Sequence, residues 1–188
     1  MTWNIPSYPL RWSLTLKDGS KLDTLVLKPI LHGDHAAVLD KHEDDDDRLL
    51  ALLELATGVP VETLEKLRRP DYNSLAKQIS DLVTQDAVFF MDADRAKAQD
   101  PDAPELLHPI DTGDRKLASL TLEVPTLKAS RMMRSYSTAR ERAEFITAHC
   151  TGLMLPDLAL LSVPDWNTLQ GRINDFLNEP AASFPLAI

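Results

Sequence analysis

Two periodicities alternate along the chain, and each occurs twice. Near the start, Leu10, Trp12, Leu14 and Leu16 alternate with polar residues, and a second alternating run follows over 22–27. Asp18-Gly19 lies between them, so the segment predicts a β-hairpin. The period then becomes helical. Residues 48–56 carry Leu49, Leu50, Leu52, Leu53 and Leu55, too apolar all round for an exposed helix, which predicts a core helix. Gly58 supplies a left-handed helix stop. Val61, Leu64 and Leu67 after Pro60 predict a short helix, and Tyr72, Leu75, Ile79 and Leu82 predict a longer one.

The second half repeats this order. Gly58 and Gly152 are 94 residues apart, as are Pro70 and Pro164, Asp71 and Asp165, Asn73 and Asn167, and Leu75 and Leu169. Apolar positions keep step: Leu64 with Leu158, Leu67 with Leu161, Ile79 with Ile173. Upstream, Leu25 and Leu27 match Leu120 and Leu122 at an offset of 95, one residue different. A period of this length is too long for a solenoid and predicts two related domains. The second hairpin is the weaker one. Residues 106–110 contain Pro109, which lacks an N–H, whereas 117–124 reads as a good strand. The expected organisation is α+β and mostly helical: a first repeat over 1–91, a linker over 92–105 rich in Asp, Ala and Pro, and a second repeat over 106–188 ending in an extended tail. Ala87 to Met91 is too apolar for a free linker and should pack on the first domain or dock the two together. Phe184 and Leu186 in the tail form either a small docking patch or a frayed end.

At 188 residues, with 44% hydrophobic and 26% charged residues, the chain reads as a soluble globular protein. It has no run of about 20 apolar residues, and its N-terminus has no signal-peptide pattern. The single cysteine, Cys150, excludes an internal disulfide framework and points to a reducing cytosol. A net charge of -9 argues against non-specific nucleic-acid binding. Candidate chemistry is sparse. His32, Asp34, His35 and His42 precede the acidic run Glu43 to Asp47, but the spacing fits neither a metalloprotease helix nor a calcium loop. A solvated acidic helix start is the plainer reading. Cys150 beside His149 is not a nucleophile–base pair, because adjacent helical residues point about 100° apart. Nucleophile elbows, phosphate-cradling loops and dinucleotide fingerprints are all missing. No catalytic, cofactor or metal residue is assigned, and no enzyme activity is expected.

What remains points to interfaces. Tyr72 and Trp166 hold equivalent places in Pro-Asp-aromatic-Asn, either as covers of the core edge or as interface anchors. The stretches ahead of the two core helices differ in sign. Residues 32–48 hold seven acidic residues against two basic, and 126–142 hold five basic against one acidic. Asp44, Asp45 and Asp46 on one side and Lys128, Arg131 and Arg134 on the other therefore form a candidate pair of attracting faces, within one chain or head to tail between chains. The alternative is two solvated faces that drifted apart in charge.

The order of these motifs resembles the tail assembly chaperone family of Mu-like phages and prophages. It is carried by the hairpin ending Leu25-Val26-Leu27-Lys28-Pro29, then residues 49–58, Leu64-Glu65-Lys66-Leu67 and Asp71-Tyr72-Asn73-Ser74-Leu75. The resemblance covers 14–83 well and 117–177 more loosely, and a tandem pair departs from the family's usual single copy. It implies a non-enzymatic protein of the bacterial cytoplasm that binds the long, helical tape measure protein before the tail tube polymerises and then leaves. It also implies self-association along that partner, with no membrane or nucleic-acid partner and, in many members, a longer frameshifted product. Under this resemblance the candidate client contacts are Phe89, Phe90 and Met91 with Tyr72 and Trp166. Two other classes stay open: a structural or tail-completion protein retained in the particle, and a small metal-dependent hydrolase built on His32, His35 and the acidic run.

Overall fold

A computed structural model of the chain describes residues 3–184. It is α+β and mostly helical. The first half opens with an antiparallel hairpin, β1 (Tyr8–Thr15) and β2 (Lys21–Leu25), followed by α1 (His32–Lys41), α2 (Asp45–Thr57), α3 (Val61–Leu64) and α4 (Arg69–Thr84). A 3-10 turn (Val88–Phe90) and α5 (Ala93–Ala98) connect to a second antiparallel hairpin, β3 (Glu105–Asp111) and β4 (Lys116–Ser119). Then come α6 (Leu127–Met133), α7 (Ala139–Thr151), α8 (Leu155–Leu158), α9 (Val163–Asn178) and a closing 3-10 turn (Ala181–Ser183).

Each hairpin lies over its own helices, and each half has its own buried cluster. Leu25, Leu27, Leu53, Ala56, Leu64, Leu75, Ile79 and Leu82 are buried in the first. Leu120, Leu122, Ile146, Cys150, Leu158, Leu169 and Ile173 are buried in the second. Local signals set the helix ends. Asp44 caps α2 by accepting from Asp46 N–H and Asp47 N–H, and Asp45, Asp46 and Asp47 occupy the first turn, where negative charge suits the helix dipole. The acidic run is thus a helix start. Thr138 and Glu141 form a reciprocal capping box on α7. Gly58 and Gly152 both end their helices at φ +69°, a left-handed conformation that costs an L-residue with a Cβ about 1–2 kcal/mol.

Three segments differ from the sequence expectation. The strand expected over 117–124 stops at Ser119, because the next N–H groups turn to other carbonyls: Leu120 N–H to Pro104 O and Leu122 N–H to Asp102 O. β3 is the longer strand and contains Pro109, which is tolerated because the register breaks between Glu105 and Ile110 and no ladder bond is asked of it. Residues 92–105 are not a bare linker. Asp92 caps α5, and the Asp102 carboxylate holds Arg172 of α9 at 2.7 Å. As far as Phe184 the tail folds back, with the Phe184 ring 5.6 Å from Phe176 and Arg172 over both rings. Leu186 lies outside the described residues.

Candidate functional site

The most buried charged groups are two equivalent aspartates. Asp71, near the start of α4, accepts from Arg11 N–H (3.0 Å), Trp12 N–H (3.2 Å) and the Tyr8 hydroxyl (2.9 Å). Asp165, near the start of α9, accepts from Leu107 N–H (2.7 Å), His108 N–H (3.1 Å) and the Ser162 hydroxyl (2.6 Å). Both are 1% exposed. In each half the strand donors lie where the hairpin register breaks, so a carboxylate takes over N–H groups the partner strand cannot reach. Burial pulls the Asp71 carboxyl upward, but its hydrogen bonds from Arg11, Tyr8 and Trp12 win and hold it below the usual value. At Asp165 burial wins and the carboxyl is raised. Sequence reading singled out the neighbouring aromatics and missed these clamps. The recurring Asp at a spacing of 94 was the visible signal.

The two halves meet along a seam that the sequence reading did not locate. The β2–α1 connection of the first half lies against α7, α8 and α9 of the second. His32 N–H donates to Leu161 O (2.7 Å), Gly33 N–H to Ala159 O (3.1 Å), and Val163 N–H to Ile30 O (2.9 Å). α1 has no side-chain N-cap, and the second half's carbonyls take its first two donors instead. The His32 ring stacks on Trp166 with centroids 3.8 Å apart and planes 15° apart. Its Nε2 lies 3.5 Å from a Glu144 oxygen and makes no hydrogen bond. Burial, helped by His35 and Arg140, pushes the His32 imidazole down to about 4, so it is neutral at pH 7. Gly33 sits so close that a Cβ there would come within 2.8 Å of the Ala159 Cβ. At the other end, Asn167 donates to Val83 O and Gln85 O, and Ala87 N–H donates to Thr168 Oγ1.

The structure separates the candidate interface residues. Trp166 is 8% exposed and faces His32, so it anchors the internal seam and is not an external contact. Tyr72 is half-buried, with its hydroxyl 3.1 Å from Asp46, and lines an open cavity of about 380 Å³. Phe89 is 57% exposed, while Phe90 packs on Trp3 and Met91 is half-buried. Ala87 is buried at the seam, so the 87–91 segment touches both halves. The oppositely charged segments do meet once within the chain: Arg140 grips Asp40 in a two-pronged pair at 2.5 and 2.8 Å. Lys128, Arg131 and Arg134 stay exposed, as do Asp44, Asp45 and Asp46.

Apolar surface is also exposed on the second half. Tyr136, Phe145, Ala148 and Leu155 line a groove of about 240 Å³ flanked by Glu141 and Glu144. Leu155 is 58% exposed, and Met154, next to it in the chain, is 67% exposed. Sequence reading missed this groove because its residues come from three segments without a shared period.

Burial, with Glu123 nearby, pushes the Cys150 thiol up to about 11, so it is not a thiolate at neutral pH. Among the described residues no three His, Cys, Asp or Glu side chains are placed to hold a metal ion. No helix among them is long and apolar enough to cross a membrane.

The family model described as phage tail assembly chaperone proteins, E, or 41 or 14, matches residues 103–178. The match falls on the second half, where the motif resemblance is the looser of the two. This family indicates tail assembly chaperones, whose work implies a protein partner in tail assembly. No curated protein and no solved structure matches the chain.

Proposed function

We propose that the chain is a tail assembly chaperone that holds the tape measure protein during tail morphogenesis, and that it is two copies of one hairpin-and-helix unit in tandem. The observation that carries the chaperone reading is the family match over residues 103–178. The tandem reading is supported by matched helix stops at Gly58 and Gly152 and matched clamps at Asp71 and Asp165. The client surface is the groove between Tyr136, Phe145 and Leu155, with Phe89 as a second contact. An amphipathic helix docks in such a groove through apolar residues at three-to-four spacing.

Co-expression with a fragment of the tape measure protein tests this reading. The fragment should stay soluble and co-purify with the chain. Leu155→Asp and Phe89→Asp, both at exposed positions, should each lower the recovered fragment several-fold while leaving the circular dichroism spectrum unchanged. A fragment that is equally soluble with and without the chain contradicts the proposal.

A further inference from the structure

One position breaks the match between α4 and α9. On α4, Lys77 lies four residues before Asp81, a spacing at which helical side chains are neighbours. At the offset of 94, Asp175 keeps its place on α9, but Gly171 stands in place of the lysine. Glycine inside a helix is destabilising, and no packing within the chain asks for it here, because a Cβ at Gly171 would meet nothing within 4 Å. The missing side chain opens one wall of a cleft.

That cleft has a volume of about 260 Å³ and lies between α9 and the segment joining the two halves. Ala87, Val88, Met91, Pro101 and Pro104 give it apolar walls, and Asp86, Asp100, Glu105 and Asp175 give it a carboxylate rim. Arg172 is the basic residue among those lining it, and Asp102 already holds that guanidinium at 2.7 Å. Arg95 holds Glu105 at 3.1 Å. Asp86 and Asp100 each accept a backbone N–H, from Phe89 and Asp102, and take part in no ion pair among the described residues. The rim therefore keeps an excess of negative charge that the chain itself does not neutralise.

An apolar trough with such a rim is complementary to a long basic side chain, which buries its methylene stem and keeps its charged head at the edge. The volume falls below the roughly 300–1,000 Å³ of sites for drug-sized molecules, so the cleft suits one side chain and not a whole cofactor. Its rim also adjoins exposed apolar surface. Phe89, whose N–H Asp86 accepts, is 57% exposed, so a polypeptide laid on that ring lies beside the carboxylates.

We propose that this cleft receives an arginine or lysine side chain of a protein partner, set beside an apolar residue that packs on Phe89. The stem lies over Gly171 and along Met91 and Pro104, and the charged head meets Asp86, Asp100 and Asp175. Gly171 leaves room for a cation supplied from outside, where the first half carries its own at Lys77. The proposal rests on the reading of Phe89 as a partner contact and adds that the partner's segment there is basic.

Heteronuclear NMR of the full chain with two short capped peptides tests it: acetyl-Leu-Arg-Leu amide, and the same peptide with glutamine in place of arginine. The arginine peptide should give saturable shifts at Val88, Met91 and Gly171, weakened by salt, and the glutamine peptide should bind several-fold more weakly. Gly171→Leu fills the trough with a better helix former, so it should melt no lower than the wild type and lose the arginine peptide. Asp175→Asn should weaken binding several-fold, whereas Asp81→Asn, at the equivalent place on α4, should not. Equal binding of the two peptides overturns the proposal. So do shifts centred away from Gly171, the absence of saturable shifts, or a folded Gly171→Leu that binds as the wild type does. A chain that binds the arginine peptide here but does not keep a tape measure fragment soluble supports the cleft and removes the client reading. A chain that holds the fragment but not the peptide does the reverse.

Discussion

Asp165→Ala should cost about 2–4 kcal/mol of unfolding free energy, and Asp71→Ala about 1–2 kcal/mol, although the two carboxylates hold equivalent places. The magnitudes follow from leaving buried donors unpaired, at about 1–3 kcal/mol each, less the desolvation relieved by removing the carboxylate. The difference follows from what surrounds the strand donors. Leu107 is 1% exposed, so its N–H cannot turn to water when Asp165 is removed. Arg11 and Trp12 are exposed residues, so water can replace much of what Asp71 supplies. Each site also has a hydroxyl donor, but Ser162 is fully buried at Asp165, whereas Tyr8 at Asp71 is only half-buried. Urea unfolding of both variants checks this, and equal losses at the two sites contradict it. Acid separates them further. Asp71 is held below the usual carboxyl value, so its contribution is present above about pH 4 and disappears as pH falls through the lowered value. Asp165 is raised, so its ionised form is harder to keep folded as pH rises from about 4 through that raised value.

The seam should weaken between pH 6.5 and pH 4. An unfolded chain protonates His32 near 6.5, whereas the folded chain resists until about 4. In that window the unfolded state holds the extra proton, so stability falls as pH falls, by an amount on the order of 3 kcal/mol from His32 for a shift of this size. His35, also lowered by burial and by Arg140, acts in the same direction. Glu144 faces Nε2 at 3.5 Å and is the group able to accept the new proton's charge. His32→Phe keeps a flat ring on Trp166 and cannot titrate. Its melting temperature should lose less than the wild type's between pH 7 and pH 4.5. Parallel curves for the two proteins would show that the ring does not couple the seam to pH.

Much of the helical part of this fold is legible in the sequence because its signals are local. Leu75, Ile79 and Leu82 mark α4 by spacing alone, Gly58 and Gly152 mark helix ends, and Asp18-Gly19 marks a turn. The strand over 117–124 failed because its ladder depends on which carbonyls Leu120 and Leu122 meet, and those belong to Pro104 and Asp102 in a segment that composition marks as a linker. The seam was hidden for a similar reason. Gly33 and His32 carry no motif, and their role comes from a surface more than 120 residues away. Trp166 was legible as an anchor but not as one turned inward. The charge difference between the two 17-residue stretches was legible, and Asp40–Arg140 shows one place where it is used within the chain.

A chaperone and a structural tail protein differ most plainly in where the chain is found once assembly ends. Quantitative mass spectrometry of purified particles beside the lysate that produced them makes that comparison. The chain should be abundant in the lysate and missing from finished particles, with tail-tube subunits as the positive control. A fixed number of copies per particle, retained through purification, would contradict the chaperone account.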